Sequence, residues 1–185
     1  MANFPNKKFN GVTYDFEHLL SFFKRISLNA RDTAHADLHV SFSIHCFTEE
    51  FNQTIHLDHH TYTHENETRA FELTRYNCSL QLPTLIDTMF KGKVYRAKNN
   101  NYTYVAQIAL NGQSQPYSIF FDLKKDTGEV SVVPTLRMYV QSAYMKPLQV
   151  SSNASNWRFG SLAGQIAGVF EKSVKKTRPK KKKTP

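Results

Sequence analysis

The chain of 185 residues carries 24 Lys and Arg against 15 Asp and Glu, a formal net charge of +9, with 40% hydrophobic residues and 13% aromatics. That composition excludes an intrinsically disordered chain, and the length suits one domain that buries ~70% of its unfolded surface without disulfide or metal staples. Its apolar runs are a few residues long, far below the ~20 that cross a bilayer, and the first eight residues lack the apolar stretch of a signal peptide. No membrane span and a cytoplasmic location are therefore expected, with Cys46 and Cys78 as reduced thiols.

Val12, Tyr14 and Phe16 alternate before the apolar cluster Leu19, Leu20, Phe22, Phe23 and Ile26, which predicts a short strand leading into a helical turn or irregular structure. From Leu38 to Cys46 apolar residues alternate with His39, Ser41, Ser43 and His45, the pattern of a half-buried strand. Residues 53–58 read as its partner across Thr48-Glu49-Glu50, and residues 69–76 as a third strand with Phe71, Leu73 and Arg75 on one side. Ser79 offers a cap, Pro83 suits a first helical turn, and Leu82, Leu85, Ile86, Met89 and Phe90 recur at helical spacing until Gly92.

Period two then returns. Residues 93–98, 102–110, 115–124 and 135–144 are four strand candidates, separated by Asn99-Asn100-Asn101, Asn111-Gly112 and Asp126-Thr127-Gly128. The last two are hairpin signals, so the sheet should be an antiparallel meander. A polar stretch over 150–156 leads to Trp157 and to Leu162, Ile166, Val169 and Phe170, an amphipathic helix. The sum is an α+β domain over residues 1–171. It has an antiparallel meander sheet with one covering helix, an N-terminal strand-rich extension and a C-terminal amphipathic helix.

Residues 172–185 hold eight cations (Lys172, Lys175, Lys176, Arg178, Lys180, Lys181, Lys182, Lys183) and no acid, which leaves 16 basic and 15 acidic residues in the first 171. The body is almost neutral and the charge is a tail. A run of this kind repels itself and has no apolar side to bury, so disorder is expected, together with salt-dependent attraction to RNA or another polyanion. A solubilising terminus, an anionic membrane surface and a nuclear import signal are the other readings.

All eight histidines lie between His18 and His64. If residues 56–60 are extended, His56, Asp58 and His60 share a side at ligand spacing, although no His-x-x-x-His or Cys-x-x-Cys signature supports a metal. Ser79, Ser142 and Cys78 lack the flanks of an exposed nucleophile, and no glycine loop cradles phosphate. RNA cleavage by the neighbouring 2′-hydroxyl asks only for proton movement and a cation on the phosphate. His45 at the end of its strand, Arg75 before the helix, and Ser142 and Tyr144 closing the last strand are the candidates, with Tyr102 and Tyr104 on one strand face placed to stack bases.

The order helix then four antiparallel strands, with Leu82-Pro83-Thr84-Leu85-Ile86 opening the helix and Tyr139-Val140-Gln141-Ser142-Ala143-Tyr144 ending the sheet, resembles the barnase, EndoU, colicin and RelE-like group of small ribonucleases over about the middle half of the chain. The resemblance implies a helical layer on a four-stranded sheet whose exposed face holds RNA. It places Arg75 as the basic residue before the helix, and Ser142 and Tyr144 as hydroxyl residues of the final strand. The extra N-terminal strands and histidines depart from that pattern. The segment Phe42-Ser43-Ile44-His45-Cys46-Phe47-Thr48-Glu49, with residues 69–76, is also similar to bacterial proteins labelled stationary-phase growth adaptation proteins, a label that names no activity.

The leading expectation is thus a small metal-independent endoribonuclease, acting as a toxin or phage-defence effector, with no cofactor, with RNA as partner and with an antitoxin protein as a further one. The alternatives are a non-catalytic nucleic-acid-binding regulator of a mobile element and a metal-dependent hydrolase built on His56, Asp58 and His60.

Overall fold

The computed structural model describes residues 4–97, 101–110, 112–128, 132–147 and 155–170; the basic segment 172–185 lies outside them. The first element is a hairpin fixed by Asn10-Gly11. Both residues have positive φ, 49° and 79°, as a two-residue turn with primed twist requires, and they join β1 (Lys7–Phe9) antiparallel to β2 (Val12–Tyr14). A 3₁₀ turn, Glu17–Leu19, leads to β3 (Phe22–Ser27), which pairs antiparallel with β4 (His35–Phe42). Along β4 the residues Ala36, Leu38, Val40 and Phe42 are buried and their neighbours half-buried, so the alternation reports a real strand.

That strand ends four residues earlier than the pattern predicts. The Ser43 hydroxyl accepts the His45 N–H at 3.2 Å and closes a 3₁₀ turn, Ile44–Cys46, so His45 stands in a turn rather than at a strand end. Residues 53–58 are likewise not a strand. Asn52 Oδ1 accepts from the Thr54 N–H and hydroxyl, and the Asn52 carbonyl from the His56 N–H, which curls the segment into turns. The partner of β5 (Thr48–Glu49) is β7 (Glu67–Phe71), which also pairs with β6 (Thr61–His64).

Residues 69–76 are not one strand either. The Glu72 carboxylate accepts the Thr74 and Arg75 N–H groups at 2.9 and 2.7 Å, and this N-cap starts α1 (Leu73–Ser79). Arg75 is therefore inside a helix, and Ser79 ends that helix instead of capping the next. The predicted helix is present as α2 (Leu82–Met89), with Pro83 in its first turn and Leu82, Ile86 and Met89 buried.

The meander forms as the turn signals predict, from β8 (Lys93–Arg96), β9 (Tyr102–Leu110), β10 (Gln113–Lys125) and β11 (Thr135–Met145). Two additions were not legible in the pattern. β12 (Asn156–Arg158) joins the edge beside β8, and β4 joins β11 in parallel, giving a seven-stranded sheet in the order β12-β8-β9-β10-β11-β4-β3. α3 (Phe159–Ala167) lies against β10, β11 and β4, with Phe159 on Phe121 at 6.2 Å between ring centroids. The fold is α+β and mostly antiparallel.

One face of the large sheet is thus covered. Tyr117, Ile119, Phe121 and Leu123 of β10 and Leu136, Met138 and Val140 of β11 are buried there with Leu82, Ile86, Met89 and Phe159. The core continues into an aromatic group, Phe4, Phe16, Phe47, Tyr62 and Phe71, between this sheet and the small one. α3 closely approaches the backbone at the end of β3: a Cβ on Gly160 would lie 2.7 Å from the Ser27 carbonyl oxygen. Gly160→Ala should therefore lower the unfolding free energy by about 1–3 kcal/mol, the usual cost of overpacking, seen as a lower denaturant midpoint.

His18 Nε2 lies 2.8 Å from the Ser79 hydroxyl, but Ser79 is buried and donates to the Tyr76 carbonyl at 2.7 Å, so the pair is packing and not a nucleophile with its base. Burial holds the His18 imidazole below its ordinary value of 6.5, with Asp15 opposing the shift. The unfolded chain takes up this proton near pH 6.5 and the folded one only at lower pH. The contribution is complete above pH 6.5 and falls as pH drops through and below it. Denaturation midpoints on either side of pH 6.5 should converge partly in His18→Gln relative to the parent protein.

Candidate functional site

The second face of the large sheet is bare where β3, β4, β11 and the end of β10 run side by side. Phe23, His39, Arg137 and Tyr139 stand there because each opposes or adjoins the next across the strands. Phe23 is 70% exposed and stacks on His39 at 4.6 Å and 20° between planes, and Tyr139 is 41% exposed. Two adjoining depressions of about 620 and 800 Å³ share His39, Ser41 and Tyr139. One extends to His64 and Glu67, the other to Phe23, Lys124, Lys125 and Arg137.

The charges along this groove are largely compensated in place. Arg25 binds Asp37 through two bonds of 2.8 Å, Arg137 binds Asp126 at 2.8 and 3.0 Å, and Lys124 pairs with Asp122. The hydrogen bonds to these guanidinium groups hold the Asp37 and Asp126 carboxyls below the usual range. Lys125 has no carboxylate partner among the described residues. Among the described residues the groove sets four carboxylates, Glu65, Glu67, Asp122 and Asp126, against three cations, Lys124, Lys125 and Arg137, beside its rings and hydroxyls, so it is close to neutral.

A separate cavity of about 290 Å³ opens between α1 and the end of β11, lined by Glu72, Thr74, Arg75, Cys78, Tyr117, Tyr144 and Met145. The Arg75 guanidinium donates to the Thr48 carbonyl at 2.9 Å and lies 5.1 Å from the Tyr144 ring centroid. The other partner of that ring is Phe120, stacked at 5.4 Å. Tyr144 and Ser142 share the sheet face of Phe120 because β11 holds one extra residue, Gln141, opposite the Phe120/Phe121 step. The bulge shifts the side-chain alternation by one, so Ser142 opposes Phe120 while Val140 opposes Phe121.

Of the residues singled out in the sequence, the fold brings together Arg75 and Tyr144, with Ser142 two residues away and outside the cavity lining. His45 is elsewhere in the hydrogen-bond network: its Nε2 is 2.7 Å from Glu67, which also takes Arg69 at 3.2 Å. Burial pushes the Glu67 carboxyl up, but the His45 and Arg69 bonds outweigh it and hold the group below its ordinary value. Arg69 continues through the Thr48 hydroxyl, at 2.8 Å, to the residue whose carbonyl receives Arg75.

Tyr102 and Tyr104 do share a face, but it is the covered one. They oppose Phe121 and Ile119, pack on the core, and Tyr102 meets Trp157 at 6.1 Å between centroids. They are unsuited to stacking bases. The rings on the open face are those of Phe23, His39 and Tyr139. Phe23 was hidden in an apolar cluster, and only the pairing of β3 with β4 turns it outward.

His56 is engaged by Glu49 at 2.9 Å and by the Asn52 N–H at 2.9 Å, and His60 by Leu57. With Asp58–His60 forming a 3₁₀ turn, His56, Asp58 and His60 do not line one side of a strand. No group of three His, Cys, Asp or Glu side chains among the described residues is placed to hold a metal ion. The basic candidates Lys175, Lys176, Arg178, Lys180, Lys181, Lys182 and Lys183 lie outside the described residues. No helix among the described residues is long and apolar enough to cross a membrane.

Fold and site together define an α+β protein whose large curled sheet is covered by helices on one face and carries a ring-lined groove on the other. Residues 6–167 match the YjaZ family, and the chain belongs to that family. No curated protein and no solved structure matches it.

Proposed function

We propose that this protein binds single-stranded RNA along the bare face of its large sheet. The observation that carries the reading is the Phe23–His39 stack beside Tyr139, in a groove long enough to span both depressions. A pleated surface with exposed rings accepts unpaired bases, since every base has a π-face, whereas a duplex hides them. The compensated charges of the groove supply little attraction of their own, and the basic segment 172–185 supplies it from outside. A cytoplasmic setting and a regulatory role on a mobile element accord with this reading.

Titration of a labelled single-stranded RNA, at low and raised salt, tests it. Binding should be saturable, should prefer single strand over duplex, and should weaken steeply with salt. Replacing the eight tail cations by Gln should flatten the salt dependence. Absence of binding at low salt, or equal affinity for duplex, would count against the proposal.

Metal-independent cleavage, as a toxin or defence ribonuclease with an antitoxin partner, is the second reading, supported by the Arg75 guanidinium over Tyr144 beside a cavity. It stands second because His45, the proton carrier expected beside Arg75, is bound to Glu67 and does not line that cavity. Incubation of RNA with the protein in chelator tests it: cleavage that falls by about 100-fold or more in Arg75→Ala would establish it.

A further inference from the structure

Glu72 is the N-cap of α1 and Arg75 lies in its first turn, three residues on, within reach of one another as opposite charges. Among the described residues they do not pair: Arg75 turns to the Thr48 carbonyl, Glu72 turns to the Thr74 and Arg75 N–H groups, and neither has an ion-pair partner. Both line the cavity of about 290 Å³. The Arg75 guanidinium keeps donors beyond the one given to Thr48, and each Glu72 oxygen keeps a second acceptor site. The walls between the two charges are the Tyr144 and Tyr117 rings, Met145 and the buried Cys78. The Tyr117 hydroxyl is buried and has no hydrogen-bond partner among the described residues, a state that ordinarily costs about 1–3 kcal/mol and asks for an explanation.

We infer that this cavity binds a small zwitterion, an α-amino acid with an apolar side chain, with its carboxylate on Arg75 and Tyr117, its ammonium on Glu72 and its side chain against Tyr144 and Met145. The two unpaired charges match the two ends of such a ligand. A dianion would meet Glu72 unfavourably, and a simple carboxylate would leave Glu72 unanswered. The volume lies at the small end of ligand sites and holds a single small molecule rather than a polymer. The orphan hydroxyl gains its partner when a carboxylate oxygen enters. This inference is independent of the RNA groove and opposes the cleavage reading, in which the same guanidinium would hold a phosphate.

The experiment is a thermal-shift and calorimetric titration of the full chain with L-phenylalanine, L-leucine, 3-phenylpropanoate, inorganic phosphate and uridine 3′-monophosphate. The two amino acids should raise the unfolding midpoint saturably, 3-phenylpropanoate should bind at least tenfold more weakly, and both phosphates should have no effect. Arg75→Ala should abolish the amino-acid response. Tyr117→Phe should weaken binding by about tenfold, the loss of one hydrogen bond to a charged group, without lowering the midpoint of the free protein. Because Tyr117→Phe removes an unpartnered hydroxyl and nothing else, it keeps the test valid should Arg75→Ala fail to fold. No response to either amino acid overturns the inference, as does equal binding of 3-phenylpropanoate. A response to the phosphates alone also overturns it and transfers the cavity to the cleavage reading.

Discussion

Replacing Phe23 and Tyr139 together by Ala is expected to weaken single-stranded RNA binding by roughly 100-fold while leaving the unfolding midpoint nearly unchanged. Stacking of a base on an aromatic ring contributes about 1–3 kcal/mol per base, and two rings are removed. The fold should tolerate the loss because Phe23 is 70% exposed and Tyr139 41% exposed, so neither truncation opens the core. The salt dependence should stay as in the parent protein, since no cation has changed. Anisotropy titrations at two salt concentrations read both quantities, and affinity unchanged in the double variant would remove the bare face from the account of binding. Tyr102→Ala and Tyr104→Ala serve as the contrast: these rings lie on the covered face, so their loss should show in stability rather than in affinity.

Phe47→Ala should be the most damaging single truncation in the N-terminal half, lowering stability by about 3–5 kcal/mol. Phe47 is fully buried, and its ring meets Phe16 at 4.1 Å, Tyr62 at 5.0 Å and Phe4 at 5.4 Å between centroids. Truncation leaves a void bordered by three rings, each belonging to a different segment, so collapse to fill it requires several segments to shift at once. A loss of this size is a large share of a domain's total stability. Chemical denaturation checks it, and a change below 1 kcal/mol would show that the aromatic group is not packed as described.

The parts of the fold that the sequence displays are those decided locally. β9 occupies Tyr102–Leu110, the bounds its alternation predicts, and α2 keeps the span that Pro83 and Gly92 suggest. The parts it conceals are decided by a competing short-range bond or by a distant partner. Phe71, Leu73 and Arg75 alternate as a strand would, yet the Glu72 carboxylate captures two N–H groups and turns the chain into α1. The alternation through Cys46 is stopped by one hydroxyl, that of Ser43. Asn10-Gly11 is a hairpin signal that lies just before the alternation of Val12, Tyr14 and Phe16. For the site, the shared face of Tyr102 and Tyr104 was legible, but which face it is depends on Phe121 and Trp157. The juxtaposition of Arg75 and Tyr144 was expected from their places beside the helix and the last strand, and it holds although Arg75 lies within a helix. Tyr117 gave no signal, since a tyrosine in an apolar strand announces nothing about the company its hydroxyl keeps.

The parallel contact of β4 with β11 joins Leu38 to Leu136 and Val40 to Met138, positions almost a hundred residues apart, with only β3 beyond β4 at that edge of the sheet. A ribosome making this chain must therefore release β4 long before its neighbour exists. Until the last third has been synthesised, β4 has β3 on one side and an open row of backbone donors and acceptors on the other. Closing so long a loop is a slow step, and a waiting strand edge is a template for the wrong chain. The growing polypeptide should consequently depend on chaperone protection until β11 emerges, and fragments ending before it should be recovered as aggregates.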